Sequence, residues 1–198
     1  MSLNDFYKEK GISIQLDSCE QNDAFLSNAQ EEQFMKELKK HPEIQSIAEI
    51  GLNAGHSASH FFEILPSLKL LVSFDINIYP CVGMAAEYLS KKYKERFLFI
   101  EGDSLNTVPF FSEHCSLKFD LIYIDGCHHF NWVLGDIANV RKIAHENTIL
   151  WIDDVDYRGV KDAVRFSEQL GYIQVQERFH SKDPISGTRD WLQAKILL

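Results

Sequence analysis

With 198 residues, 45% of them hydrophobic and 25% charged, the chain has the length of one domain and the composition of an ordinary globular protein with a full core. A formal net charge of −9 argues against a binder that tracks nucleic-acid phosphates or anionic lipid, since both need a basic face. Four separated cysteines (Cys19, Cys81, Cys115, Cys127), no apolar run of membrane-spanning length and a start lacking a signal-peptide pattern predict free thiols in a cytoplasmic protein.

Residues 1–42 read as a polar lead-in with one amphipathic helix over 29–40, carrying Phe34, Met35 and Leu38 on one side. From residue 43 onward short apolar runs alternate with helical patterns. Strands are expected at 46–51, 70–76, 97–101, 121–125 and 148–153, and helices near 56–65, 82–93, 105–113, 131–143 and 155–170. In the fourth helix Val133, Ile137 and Val140 recur at three- and four-residue steps, with Asp136 and Arg141 assigned to the outer surface. Such alternation calls for right-handed crossovers and a doubly wound parallel sheet. The runs 172–177 and 191–197 have only a polar loop between them, with Pro184 and Gly187, and predict an antiparallel hairpin at one edge.

In an open parallel sheet the carboxyl ends of the strands border the ligand crevice. The fourth strand ends in Asp125-Gly-Cys-His128 and the fifth in Asp153-Asp154, which would gather three carboxylates and an imidazole in one pocket. That set suits holding a divalent cation and moving a proton. The competing reading has Asp153 or Asp154 capping a helix near Val155, and His128 and His129 bonding backbone at a helix start.

The first strand runs into Glu49-Ile-Gly51-Leu-Asn53-Ala-Gly55-His-Ser57. Glycines there permit a tight turn and close backbone approach, and the helix start offers amide donors. The pattern is not the G-x-G-x-x-G of nicotinamide-binding proteins. Asp75 ends the second strand, where a carboxylate can accept from both ribose hydroxyls of a nucleoside. Asp103 and Ser104 follow the third, placed to meet an adenine edge.

These motifs resemble the class I S-adenosylmethionine-dependent methyltransferases, and within them short bacterial enzymes carrying Glu-Ile-Gly-x-Asn-x-Gly-His-Ser and Asp-Gly-x-His. The resemblance spans about residues 46–155 of this chain. It implies a Rossmann-like seven-stranded α/β sheet of order 3-2-1-4-5-7-6, strand 7 antiparallel, with helices on both faces. The methyltransferase domain is expected over 43–198, and the motif-poor lead-in, residues 1–42, is expected from its position alone to form a lid or dimer surface over the acceptor pocket. Carried over, Glu49, Gly51 and Gly55 would surround the methionine moiety of S-adenosylmethionine, with Asn53 and Ser57 in the same segment. Asp75 would hold the ribose, Asp103 and Ser104 the adenine, and Asp125 would lie near the sulfonium. Ala144-His145-Glu146-Asn147 replaces the glycine pair many relatives carry before the fifth strand, a difference expected to stay within a turn.

Metal-dependent O-methyltransferases look similar at the acidic end. The resemblance implies Asp125, Asp153 and Asp154 as ligands of Mg2+ or Ca2+, and His128 as the base that takes the acceptor's proton. An imidazole with an ordinary pKa near 6.5 suits that task. The acceptor implied is a small hydroxylated molecule; no nucleic-acid or membrane partner is expected, and a homodimer is expected by analogy. The competing functions are a cofactor- or partner-binding module without catalysis and an NAD-dependent oxidoreductase. Trp132, Trp151 and Trp191 read as core residues, and His56 as a residue of a helix's first turn.

Overall fold

The computed structural model describes residues 1–11, 28–183 and 187–198. Among the described residues two helices come first, α1 (Leu3–Glu9) and α2 (Asn28–Leu38). Strands and helices then alternate: β1 (Ser46–Ile50), α3 (His56–Ile64), β2 (Leu70–Asp75), α4 (Pro80–Tyr93), β3 (Phe97–Glu101), α5 (Ser104–His114), β4 (Phe119–Ile124), α6 (Phe130–Val140), β5 (Ala144–Ile152) and α7 (Arg158–Gln169). Two long strands follow, β6 (Ile173–Asp183) and β7 (Gly187–Ile196). The sheet order is β3-β2-β1-β4-β5-β7-β6, with β1 to β5 paired in parallel and β7 antiparallel to both neighbours. The expected architecture is therefore present, with helices on both faces. Cys19 and Pro184 lie outside the described residues.

Strands covered on both faces alternate their side chains between two cores. Ile47, Leu71, Leu121, Tyr123 and Trp151 join one core with residues of α1 to α4. Ala48, Ile50, Val72, Ile122, Ile124, Leu150 and Ile152 join the other with residues of α5 to α7. This two-residue period also aims the strand ends. Asp125 and Asp153 each lie two positions beyond a residue of the first core, Tyr123 and Trp151, so both are directed to that side.

Several features differ from the sequence-based expectation, among them the expected loop between 177 and 191, where β6 continues to Asp183 and β7 begins at Gly187. The polar lead-in contains α1, capped by Ser2 and Asp5 in a reciprocal capping box, with Leu3, Phe6 and Tyr7 buried in the first core. Residues 144–147, expected as a turn, form the start of β5, where the register with β4 shifts. The last helix starts at Arg158 rather than Val155, after Asp154 adopts a φ of +54°. Its N-cap is Tyr157, so neither Asp153 nor Asp154 caps it. Asp136, assigned to the outer surface, is buried with Val133, Ile137 and Val140. No helix among the described residues is long and apolar enough to cross a membrane.

Candidate active site

A cavity of about 630 Å3 lies beyond the carboxyl ends of β1 to β5. Gly51, Asn53, Asp75, Asp103, Ser104 and Asp125, six of the residues singled out for cofactor binding, line it. So do His128 and Asp154 from the acidic motif. Glu49, Gly55 and Ser57 do not line it; they stand behind its wall.

The wall is built from β1 outward. Gly51 has a φ of +97°, and a Cβ there would meet the Asp125 carbonyl oxygen at 2.0 Å, so no side chain fits between the ends of β1 and β4. Asp75 fixes the loop above: its Oδ2 accepts from the Leu52 and Asn53 amides at 2.9 and 3.0 Å, and its Oδ1 from the Asn77 amide at 2.8 Å. Asp103 caps α5 by accepting from the Leu105 amide at 3.0 Å. Apolar side chains complete this end: Phe74, Ile76, Ile78, Tyr79 and Trp132. Trp132 is 40% exposed at the cavity, unlike Trp151 and Trp191, which are core residues as expected. His56 opens α3 as expected, and burial pushes its pKa down to about 4.

Glu49 is fully enclosed and accepts from the Ser57 and Ser73 hydroxyls. Burial raises its pKa from 4.5 to about 7, although the two serine bonds pull it down. Between these values the native carboxyl keeps a proton that the unfolded chain releases. Its contribution is thus fully present below pH 4.5 and lost as pH rises through about 7, on the order of 3 kcal/mol. Glu49→Gln is therefore expected to flatten the fall in melting temperature between pH 5 and pH 8 relative to the wild type. Calorimetric scans across that range check it, and parallel curves for the two proteins would refute it.

At the acidic end one aromatic hydroxyl joins two strands. Tyr123 Oη donates to Asp153 Oδ2 at 2.6 Å and lies 3.2 Å from Asp125 Oδ2. Burial, with Asp125 and Asp153 beside it, keeps the phenol protonated well above its ordinary range. Asp153 also accepts from Gln30 Nε2 of α2 at 3.0 and 3.1 Å and from the Asp154 amide at 2.8 Å. Burial and then the Asp154 charge lift its pKa to about 7. Asp125 is raised well above the carboxylate range by burial and by Asp153 and Asp154.

Asp154 behaves in the opposite way. Burial alone would raise it, but bonds from His128 Nε2 at 2.8 Å and Arg189 Nη1 at 2.9 Å outweigh burial and leave its pKa lowered. The His128 ring also lies against Tyr157, with centroids 4.4 Å apart. Three ligand atoms, one each from Asp125, His128 and Asp154, fall within 4.8 Å of one another. Asp153 is turned toward Gln30 and Tyr123. Carboxylates crowded until one of them resists ionisation, with oxygen and imidazole donors converging, suit a hard divalent cation.

Sequence reading missed Gln30, Tyr123, Tyr157 and Arg189. Tyr123 had a local signal, since it precedes Asp125 by two positions and so shares its face. Gln30 and Arg189 reach the site from α2 and β7 and carried none.

A parallel sheet ending in a reversed seventh strand, with its cavity at the carboxyl edge, defines a class I methyltransferase fold. A family model described as a methyltransferase domain matches residues 48–155, more than half of the chain, and the chain belongs to that family. Its structure is similar to that of an O-methyltransferase from Bacillus cereus in complex with SAH, with a TM-score of 0.76, 14% identity and coverage of 98% of this chain and 90% of that one. It is also similar to the O-methyltransferase TomG from Streptomyces achromogenes, involved in tomaymycin synthesis and in complex with SAM, at TM-score 0.72, 16% identity and coverage of 99% and 88%. An SAH-bound methyltransferase from Podospora anserina gives 0.68, 19%, 99% and 88%. Identities this low speak to the fold alone. No curated protein gives a significant match.

Proposed function

We propose that the chain is an S-adenosylmethionine-dependent O-methyltransferase acting on a small hydroxylated molecule with help from a divalent cation, Mg2+ or Ca2+. The observation that carries the reading is a single cavity, on a methyltransferase fold, that joins Asp75, Asp103 and Ser104 at one end to Asp125, His128 and Asp154 at the other. The cofactor, when bound, supplies an electrophilic methyl group. Asp75 accepts from the ribose, Asp103 and Ser104 border the base, and Gly51 and Asn53 present backbone along the methionine part. Glu49, Gly55 and Ser57 support that wall from behind.

Asp125 and Asp154 hold the cation, which lowers the pKa of an acceptor hydroxyl when bound. Asp153 adds negative charge beside them and joins the shell directly only by releasing Gln30. His128 takes the acceptor's proton, its ring set by Asp154 and Tyr157. The lead-in helix α2 borders the acidic end through Gln30, which fits a lid role for residues 1–42.

Two measurements test this. S-adenosylmethionine is expected to raise the melting temperature and NAD to leave it unchanged, because only a native-state ligand shifts the midpoint. Methyl transfer to an acceptor found by screening is expected to fall at least about tenfold with chelator and to recover with added Mg2+. A chelator-insensitive rate would remove the cation from the proposal, and a midpoint moved by NAD alone would replace the cofactor.

A further inference from the structure

Of the three carboxylates at the acidic end, Asp153 is the one whose oxygens are already taken. Its Oδ1 accepts from Gln30 Nε2 at 3.0 Å and from the Asp154 amide at 2.8 Å. Its Oδ2 accepts from the Tyr123 hydroxyl at 2.6 Å and again from Gln30 Nε2 at 3.1 Å. A carboxylate offers about four lone-pair sites, so these contacts leave none for a metal ion. The place of Asp153 in the site argues the other way. The Tyr123 hydroxyl is 3.2 Å from Asp125 Oδ2, so it stands where an ion shared by Asp125 and Asp153 would bridge them. The ligand atoms that do converge, within 4.8 Å of one another, come from Asp125, His128 and Asp154.

Two of the donors to Asp153 belong to the strands and their ends, whereas Gln30 enters from outside the sheet. It is 3% exposed, in the first turn of α2. The helix has its own anchors: Phe34 and Leu38 are buried, and the Phe34 ring lies 5.1 Å from Trp151 and 5.5 Å from Tyr123. Gln33 Oε1 also accepts from Trp191 Nε1 at 3.3 Å. A buried amide costs free energy unless it is paired, so a helix anchored in this way gains little from one unless the pairing has a use.

We propose that Gln30 is a positioning residue that, with Tyr123, holds Asp153 out of the cation shell, so that docking of α2 sets how tightly the site binds a divalent ion. The inference rests on the proposed cation site. With Asp153 engaged, Asp125 and Asp154 hold the ion and more of its shell is left to water and acceptor oxygens. With Gln30 withdrawn, both Asp153 oxygens lose a donor and a third carboxylate becomes available. The coupling is reciprocal, so an ion that recruits Asp153 also loosens the first turn of α2.

The test is binding of Mn2+, which shares the oxygen-ligand preference of Mg2+ and whose free form is counted by its EPR signal. The proteins compared are the wild type, Gln30→Leu, Tyr123→Phe, Asp153→Asn and the double variant Gln30→Leu with Asp153→Asn. Gln30→Leu is expected to tighten Mn2+ binding about tenfold, the scale of one competing hydrogen bond to a charged group. That gain is expected to vanish in the Asp153→Asn background, as it must if the two residues act on each other. A merely structural Gln30 would leave ion binding unchanged or weaken it. Tyr123→Phe removes the other side-chain donor, keeps the ring, and supplies the measurement with the same expected direction if the leucine variant does not fold. Binding detected only after Gln30 is replaced supports the inference. Unchanged or weaker binding in the folded variants of a wild type that binds, or a gain that survives Asp153→Asn, overturns the inference alone. Binding by neither the wild type nor any variant overturns the cation reading and this inference with it.

Discussion

His128→Ala is expected to lower kcat by about 10²–10⁴-fold, the range for loss of a positioned general base, while leaving S-adenosylmethionine affinity within about twofold. The structural ground is the chain of contacts that sets the ring. Arg189 Nη1 lies 2.9 Å from Asp154 Oδ1, and Asp154 Oδ2 lies 2.8 Å from His128 Nε2. With Nε2 paired to Asp154, the ring is held at the cavity, where the proposed mechanism has it take the acceptor's proton. If His128 is instead mainly a cation ligand, the same substitution weakens Mg2+ binding by a factor matching the lost rate. Single-turnover rates at saturating Mg2+, beside a Mg2+ titration, separate the two; a rate within threefold of the wild type would discard His128 as the base.

Asp75→Ala is expected to raise the dissociation constant for S-adenosylmethionine by about 100-fold or more, since hydrogen bonds to a charged group are each worth about 1.5–3 kcal/mol. Two losses combine. The ribose loses its acceptor, and the Leu52, Asn53 and Asn77 amides lose the carboxylate that holds their loop. Asp75→Asn retains one carbonyl oxygen and should fall between. Titration calorimetry reads both variants, and unchanged affinity in the alanine variant would defeat the ribose assignment.

The positions of Asp125 and His128 were legible because they lie within one short motif whose strand was marked by its apolar run. The sheet was legible for a similar reason: alternation of apolar runs with helical patterns leaves few topologies open. Helix α1 was not anticipated, though Ser2 and Asp5 have capping-box spacing, because seven residues show too little periodicity to read. In α6 the signal was present and misassigned. Asp136 stands three positions after Val133 and four before Val140, inside the apolar stripe, and only its charge argued for the surface. Trp132 stands one position off that stripe, which is why it meets the cavity instead of the core. Gln30 and Arg189 were beyond local reading. They contact Asp153 and Asp154 across 123 and 35 residues, and only the closed sheet brings them together.

Arg189 reaches Asp154 because β7 runs against its neighbours. In a parallel strand the first residues open at the amino edge, far from any ligand; in the reversed strand they emerge at the carboxyl edge. Arg189 is the third residue of β7, and the backbone of the next residue, Asp190, accepts from the Val155 amide at 2.8 Å. The terminal hairpin is thus a separate channel through which charge beside the acidic cluster is adjusted, independent of every crossover loop. Exchanging hairpins between relatives would change the charge beside the acidic cluster while leaving the end lined by Asp75, Asp103 and Ser104 on its own strands.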